Sequence, residues 1–352
     1  MARGCLALLL VALAGCSNPE TEARDAFLAH AYAQLATDYA SLATRADRGR
    51  ETLSQYCAAP TADSLQAAQD AYRNTALAFA RIEWMRRGPM AQAHRFERLF
   101  YWPDRGGRGR QQLARFLDSE DLATIDAAGL ADKSVALQGL PALEYLLYSD
   151  ALPSVTAANA NSCKLAMLIA QGIASTTSNL SDDWAAAKTL RQALADPDEE
   201  PPARDRALSI VVQSAAQALE TAAEQKIAPA AGDSPARARA SLAPLALSGN
   251  TVASMLATSN ALRDLFAGPF QAALPETSRY AGEALLREVE QIRSNLQILD
   301  DAGSWSAVLA DDQHHRRLLY LRQPMLAVQQ QLEQSLSQAL GLVQGFNSAD
   351  GD

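Results

Sequence analysis

The stretch Gly139-Leu140-Pro141-Ala142-Leu143-Glu144-Tyr145-Leu146-Leu147 holds a helix start and a single acid among apolar neighbours. Proline is best tolerated at the first helical position, where its missing N–H would have had no partner. Pro141 therefore marks a helix N-terminus with Gly139 just outside it. Glu144 then falls in the first turn, where the helix dipole favours its charge, and the surrounding leucines predict a packed setting rather than open solvent. Two readings of this acid stay open: a carboxylate that satisfies unpaired first-turn N–H groups, and a functional group held in a cleft.

Outward from this run, alanine and leucine recur at helical spacing and alternating β-branched runs are scarce, so the fold class is all-α. The periodicity predicts helices over roughly 22–45, 62–87, 110–118, 132–148, 160–194, 204–226, 245–267, 278–300 and 312–342. Gly88-Pro89, Pro103 with its following glycines, and the segment Pro229 to Pro235 supply the breaks. Asp196-Pro197-Asp198-Glu199-Glu200-Pro201-Pro202 is acidic, proline-rich and free of apolar side chains, and it separates two similar halves, 22–195 and 203–352. Each half holds about four long amphipathic segments, the number a four-helix bundle needs to close its core, which predicts two packed helical bundles.

The N-terminus reads as an export address. Arg3 gives a short positive region, Leu6 to Leu13 an apolar core too short to span a bilayer, and Leu13-Ala14-Gly15-Cys16 a lipoprotein cleavage pattern. The expectation is a signal peptide over 1–15, a chain beginning at a lipidated Cys16 and a tether over 16–21, with the body facing the periplasm. Ser17 is compatible with the outer membrane. Of the four cysteines, Cys5 leaves with the signal and Cys16 takes lipid, so Cys57 and Cys163 remain in an oxidising compartment. A bridge between them is expected, with two buried thiols as the alternative; it would close a loop of roughly a hundred residues and stabilise by about 4 kcal/mol.

Net charge of −9 argues against a nucleic-acid partner, because no basic stripe is present to displace phosphate counterions. The Arg-Gly run from Arg105 to Arg110 reads as a solvated loop rather than a polyanion site.

The Gly139 to Leu147 run resembles the motif of the imelysin-like family, the M75 group of presumed metallopeptidases and iron-regulated envelope proteins, which reads Gly-x-His-x-x-Glu. Ala80-Arg81-Ile82-Glu83-Trp84-Met85-Arg86-Arg87-Gly88-Pro89, Phe100-Tyr101-Trp102-Pro103-Asp104, Ser248-Gly249-Asn250-Thr251 and Gly345-Phe346-Asn347-Ser348-Ala349-Asp350-Gly351-Asp352 also look like family features, in family order. The resemblance implies two bundles packed around a cleft that contains Gly139, Pro141, Glu144, Glu83, Arg86 and Asp104. It also implies Arg86 as the counter-ion of Glu144, which would keep that acid ionised. Taken alone, Glu83, Arg86 and Arg87 read as a solvated helix face with an i,i+3 or i,i+4 pair. The motif histidine and glutamate lie on one helical face and suit zinc or iron, but here the histidine position is Pro141, which has no ligand atom.

Of the remaining histidines only His94, close in sequence to Arg86 and the Trp-Pro-Asp run, stays open as a ligand. His30 lies in a helix, His94 in a loop, and His314-His315 at a helix start, where adjacent side chains point about 100° apart. No Gly-x-Ser-x-Gly, Ser-x-x-Lys, His-Glu-x-x-His or phosphate-loop motif is present. The reading is a cell-envelope lipoprotein acting as a non-catalytic binding or accessory protein in metal uptake, with iron or zinc as the metal the resemblance implies and an iron-uptake or envelope protein as its partner. A M75-type metallopeptidase and an envelope interaction scaffold stay open as alternatives.

Overall fold

The computed structural model describes residues 18–149, 155, 159–196 and 199–342. The signal segment, Cys16, Ser17 and the terminal 345–352 run lie outside the described residues. Ten helices carry the architecture: α1 (Pro19–Ala58), α2 (Ala62–Ile82), α3 (Arg95–Leu99), α4 (Arg108–Leu117), α5 (Gly139–Tyr148), α6 (Ala160–Ala187), α7 (Arg204–Glu220), α8 (Thr251–Ala267), α9 (Arg279–Asp301) and α10 (Asp312–Gln330). The first bundle is built from α1, α2, α5 and α6, the second from α7, α8, α9 and α10. Among the described residues no helix is long and apolar enough to cross a membrane.

Local chemistry sets the ends of these helices. Asn18 caps α1 through its side chain ahead of Pro19. Thr61 and Ser64 form a reciprocal capping box on α2, and the Asn159 side chain accepts from the Asn161 and Ser162 amides at the start of α6. Helix α1 runs 40 residues, about 60 Å, well past the expected end at 45. Gly49 does not break it; the absent side chain lets α1 approach α2, where an added Cβ would stand 3.3 Å from Thr75 Oγ1. Helix α1 already begins at Pro19, inside the tether expected over 16–21.

Packing is led by aromatic residues. Tyr39 stacks on Trp184 at 5.1 Å and Phe79 on Phe100 at 5.0 Å, and burying each such ring stabilises by roughly 1.5–3 kcal/mol. Phe27 of α1 meets Phe270 of the second half at 5.0 Å. One hydrophobic core runs without interruption through both halves. Cys57, one residue before the end of α1, is joined by a disulfide to Cys163 in the first turn of α6.

Helix α2 against α8 is the principal seam between the bundles. Arg81 bonds to Asp38 at 2.8 Å and to Asp264 at 3.1 Å, so one guanidinium ties α1, α2 and α8 together. Near it His30 Nε2 lies 2.9 Å from the Asp264 carbonyl oxygen, and Gln34 donates to the Ala261 carbonyl at 2.8 Å. These contacts place the first turns of α1 against the second half.

Candidate functional site at the seam between the bundles

Gly139 stands at φ +74°, and a Cβ on it would fall onto the carbonyl oxygens of Arg98 and Leu99. Only glycine lets the start of α5 lie directly on the end of α3. The helix begins at Gly139 with Gln138 as its cap, so Pro141 is the third helical residue rather than the first. A proline there still loses nothing, because the first four N–H groups of a helix have no partner within it. Glu144 consequently lies in the second turn, not the first, and it does not cap the helix.

The Glu144 side chain is 5% exposed and crosses the seam. Its Oε1 accepts from the Ser248 amide at 2.9 Å and from Ser248 Oγ at 2.6 Å. Ser248 is held ready by a tight loop: Leu245 and Gly249 have positive φ, the Asn250 amide donates to the Leu245 carbonyl at 2.9 Å, and Thr251 Oγ1 donates to the Pro244 carbonyl at 2.7 Å. Helix α8 therefore starts at Thr251 rather than at 245, leaving the loop free to present its donors. Burial pushes the Glu144 carboxyl up to about 7, against the lowering effect of the two Ser248 bonds. Tyr72 and Tyr148 flank it, and both phenols are raised, by burial first and by the Glu144 charge second. Tyr72 donates to the Leu140 carbonyl at 3.2 Å and Tyr148 to the Gln69 carbonyl at 3.1 Å, so both hydroxyls are committed to backbone.

A second crossing lies beside the first. Arg73 of α2 donates to Asn250 Oδ1, while the buried Nδ2 of Asn250 has no hydrogen-bond partner among the described residues. A third joins Glu83, just past the end of α2, to Lys226, which sits in the π-helical segment Thr221–Ile227. Both ions are buried, and Thr258 Oγ1 donates to the same carboxylate at 2.9 Å. Glu83 is thus neither a solvated residue nor the side-chain partner of Arg86.

Arg86 is not the counter-ion of Glu144. It is exposed, its Cζ lies 4.0 Å above the Phe96 ring, and its Nε donates to the Glu83 carbonyl at 3.3 Å. Asp104 is used locally: its carboxylate accepts from the Gly109 and Arg110 amides at 2.8 and 3.1 Å, satisfying the first turn of α4. The structure brings Glu144 to Ser248 from the helix that Gly139 and Pro141 begin, and leaves Arg86, Asp104 and Glu83 to other tasks. Of the histidines, His94 is exposed, His314 lies 3.3 Å from its helix cap Asp311, and His315 is buried against the Ala231 carbonyl instead of lying at the surface. Among the described residues no three of His, Cys, Asp and Glu gather closely enough to hold a metal ion.

Ser248 and Lys226 are the residues that sequence reasoning did not single out for a role. The Ser248-Gly249-Asn250-Thr251 run carried a turn signal, and Lys226 is the only lysine after residue 200. Neither signal names the partner across the seam.

The imelysin family model, Peptidase M75, matches residues 31–338. The chain belongs to the imelysin family. An imelysin-like protein from Psychrobacter arcticum 273-4 shares the fold with a TM-score of 0.75 at 21% identity, over 92% of this chain and 98% of that one. A protein named as an iron-regulated protein A precursor, from Parabacteroides distasonis ATCC 8503, does so with a TM-score of 0.72 at 14% identity, over 92% and 97%. No curated protein sequence matches the chain significantly. Within the imelysin fold, Glu144 of this chain serves as an acceptor for the opposite bundle.

Proposed function

We propose that this imelysin-family chain is a non-catalytic binding and accessory protein of the bacterial cell envelope, linked to iron uptake. The observation that carries the reading is the engagement of Glu144 by Ser248 across the seam. A hydrolytic metal centre needs about three protein ligands and an open position for water. Pro141 offers no ligand atom and, among the described residues, no group of three His, Cys, Asp or Glu side chains gathers at Glu144, so these residues do not fit the metal that the family motif implies. An acid buried at the junction and poised near neutrality instead makes the join between the bundles sensitive to whatever binds there. The link to iron is supported by the name of the Parabacteroides relative, and the envelope location by Leu13-Ala14-Gly15-Cys16.

Deletion of the gene in its source bacterium, followed by radio-iron uptake under iron limitation, tests this. Uptake should fall and be restored by the parent gene, but not by Cys16→Ser or Glu144→Gln. Unchanged uptake in the deletion strain would remove the iron link. Chelator-sensitive proteolysis by the purified protein, abolished in Glu144→Ala, would make the chain a M75-type metallopeptidase instead.

A further inference from the structure

Past the end of α2 the chain folds back on itself between residues 86 and 105 and lines an open cleft of about 500 Å³, the size of a small-ligand site. This cleft contains neither Glu144 nor Ser248. Its apolar wall is rigid: Phe96 and Phe100 lie 5.9 and 5.0 Å from Phe79 of the first bundle's core. Trp102 is half-buried on the same wall and offers a flat face.

The polar groups around the wall are mostly donors, and the protein uses only part of their capacity. Arg86 is oriented by the Phe96 ring beneath it and by its Nε bond, and its two terminal nitrogens have no acceptor among the described residues. Arg105 is exposed and its guanidinium is unpaired; the Tyr101 hydroxyl and the Trp102 indole N–H also lack protein partners among the described residues. His94 reaches the rim from a backbone held in the left-handed region, at φ 55°, directly after Ala93 at φ 50°. Two successive non-glycine residues there are strained, a state that persists where the surroundings enforce it and that concentrates at ligand sites. Glu97 is the one carboxylate on the lining, against two guanidinium groups. In a chain of net charge −9 this is a local excess of cations beside flat rings.

We propose that this cleft binds a small planar anion, an aromatic carboxylate or a compound of like shape and charge. Its ring would lie against Trp102, beside the Phe96 ring that Arg86 covers, and its carboxylate would be gripped by Arg86 and Arg105. A guanidinium fork matches a carboxylate in two parallel hydrogen bonds, and an arginine already fixed on a ring loses little freedom in making them.

Calorimetric titration of the purified chain with 1-naphthoate tests the site, with 1-naphthamide as the uncharged match and cyclohexanecarboxylate as the non-planar one. Naphthoate should bind saturably at one site, with the other two weaker by roughly tenfold or more, as expected when a charge-assisted hydrogen bond or a ring face is lost. Arg86→Gln, Arg105→Gln and Trp102→Ala should each weaken naphthoate, whereas Glu97→Gln should tighten it by removing the competing charge. Circular dichroism melts keep the comparison to folded variants. Equal binding of naphthoate and naphthamide would overturn the proposal. So would naphthoate binding that survives in a folded Arg86→Gln, Arg105→Gln double variant, or no saturable binding in the millimolar range.

Discussion

Replacing Glu144 by glutamine isolates the cost of keeping an acid at the seam. In the folded chain the carboxyl is raised from 4.5 to about 7, which corresponds to about 3 kcal/mol. A raised acid holds its proton more tightly folded than unfolded. The stability it contributes is therefore complete below its unfolded value, near 4.5, and is lost as pH climbs through about 7. Glutamine keeps an oxygen for both Ser248 donors and has no proton to lose. The parent should then lose about 3 kcal/mol relative to Glu144→Gln between pH 4.5 and pH 8.5, with every other titrating group common to both proteins. Urea unfolding of the two proteins across that range measures the difference. A gap independent of pH would refute the reasoning, since it would mean that the Ser248 bonds fully offset burial. A gap that opens in the opposite direction would mean that the ionised form is the favoured one.

Other outcomes follow from the same geometry. Gly139→Ala places a Cβ on the Arg98 and Leu99 carbonyl oxygens at a positive φ and should cost on the order of 3 kcal/mol, read from the urea midpoint. Glu83→Ala strands a buried lysine and should cost about 3–5 kcal/mol, while the double change Glu83→Leu, Lys226→Met should recover most of it in the same assay. Reducing the Cys57 to Cys163 bridge, which spans 106 residues, should lower unfolding free energy by about 4 kcal/mol, and non-reducing peptide mapping should recover both cysteines in one fragment. Mass spectrometry of protein from native membranes should find a lipidated Cys16 at the N-terminus.

The helices were legible because their signals are local. Thr61 and Ser64 announce a cap, Gly88-Pro89 ends a helix, and the apolar spacing runs nearly unbroken. The same locality explains the errors. The spacing carries the first helix only to about residue 45, whereas it continues through Gly49 to Ala58 against α2, and Pro141 marks a first turn without fixing which of its positions it occupies. The site was half legible. The Gly139 to Leu147 run marks out the acid, but its partner lies 104 residues away in a loop whose course depends on two positive-φ residues, one of them Leu245. Charge misled in the opposite sense. Glu83 and Arg86 are neighbours on one helix end, yet one is drawn inward by Lys226 and the other is laid on a surface ring. Sequence spacing reports which side chains could meet along a helix, and the partner across a seam decides which of them do.

The course of α1 bears on how the molecule carries load. Its later turns form a wall of the first bundle, while Phe27, His30 and Gln34 near its start are fastened to Phe270, Asp264 and Ala261 of the second. Asp25 is joined in the same way to Arg204, at 2.6 Å. Whatever holds the chain at Asn18 grips the second bundle first, and tension reaches the first bundle along the remainder of the same rod. Cutting the chain between Asp196 and Pro202 would leave this connection intact, so the two halves should travel as one piece after a single cleavage there.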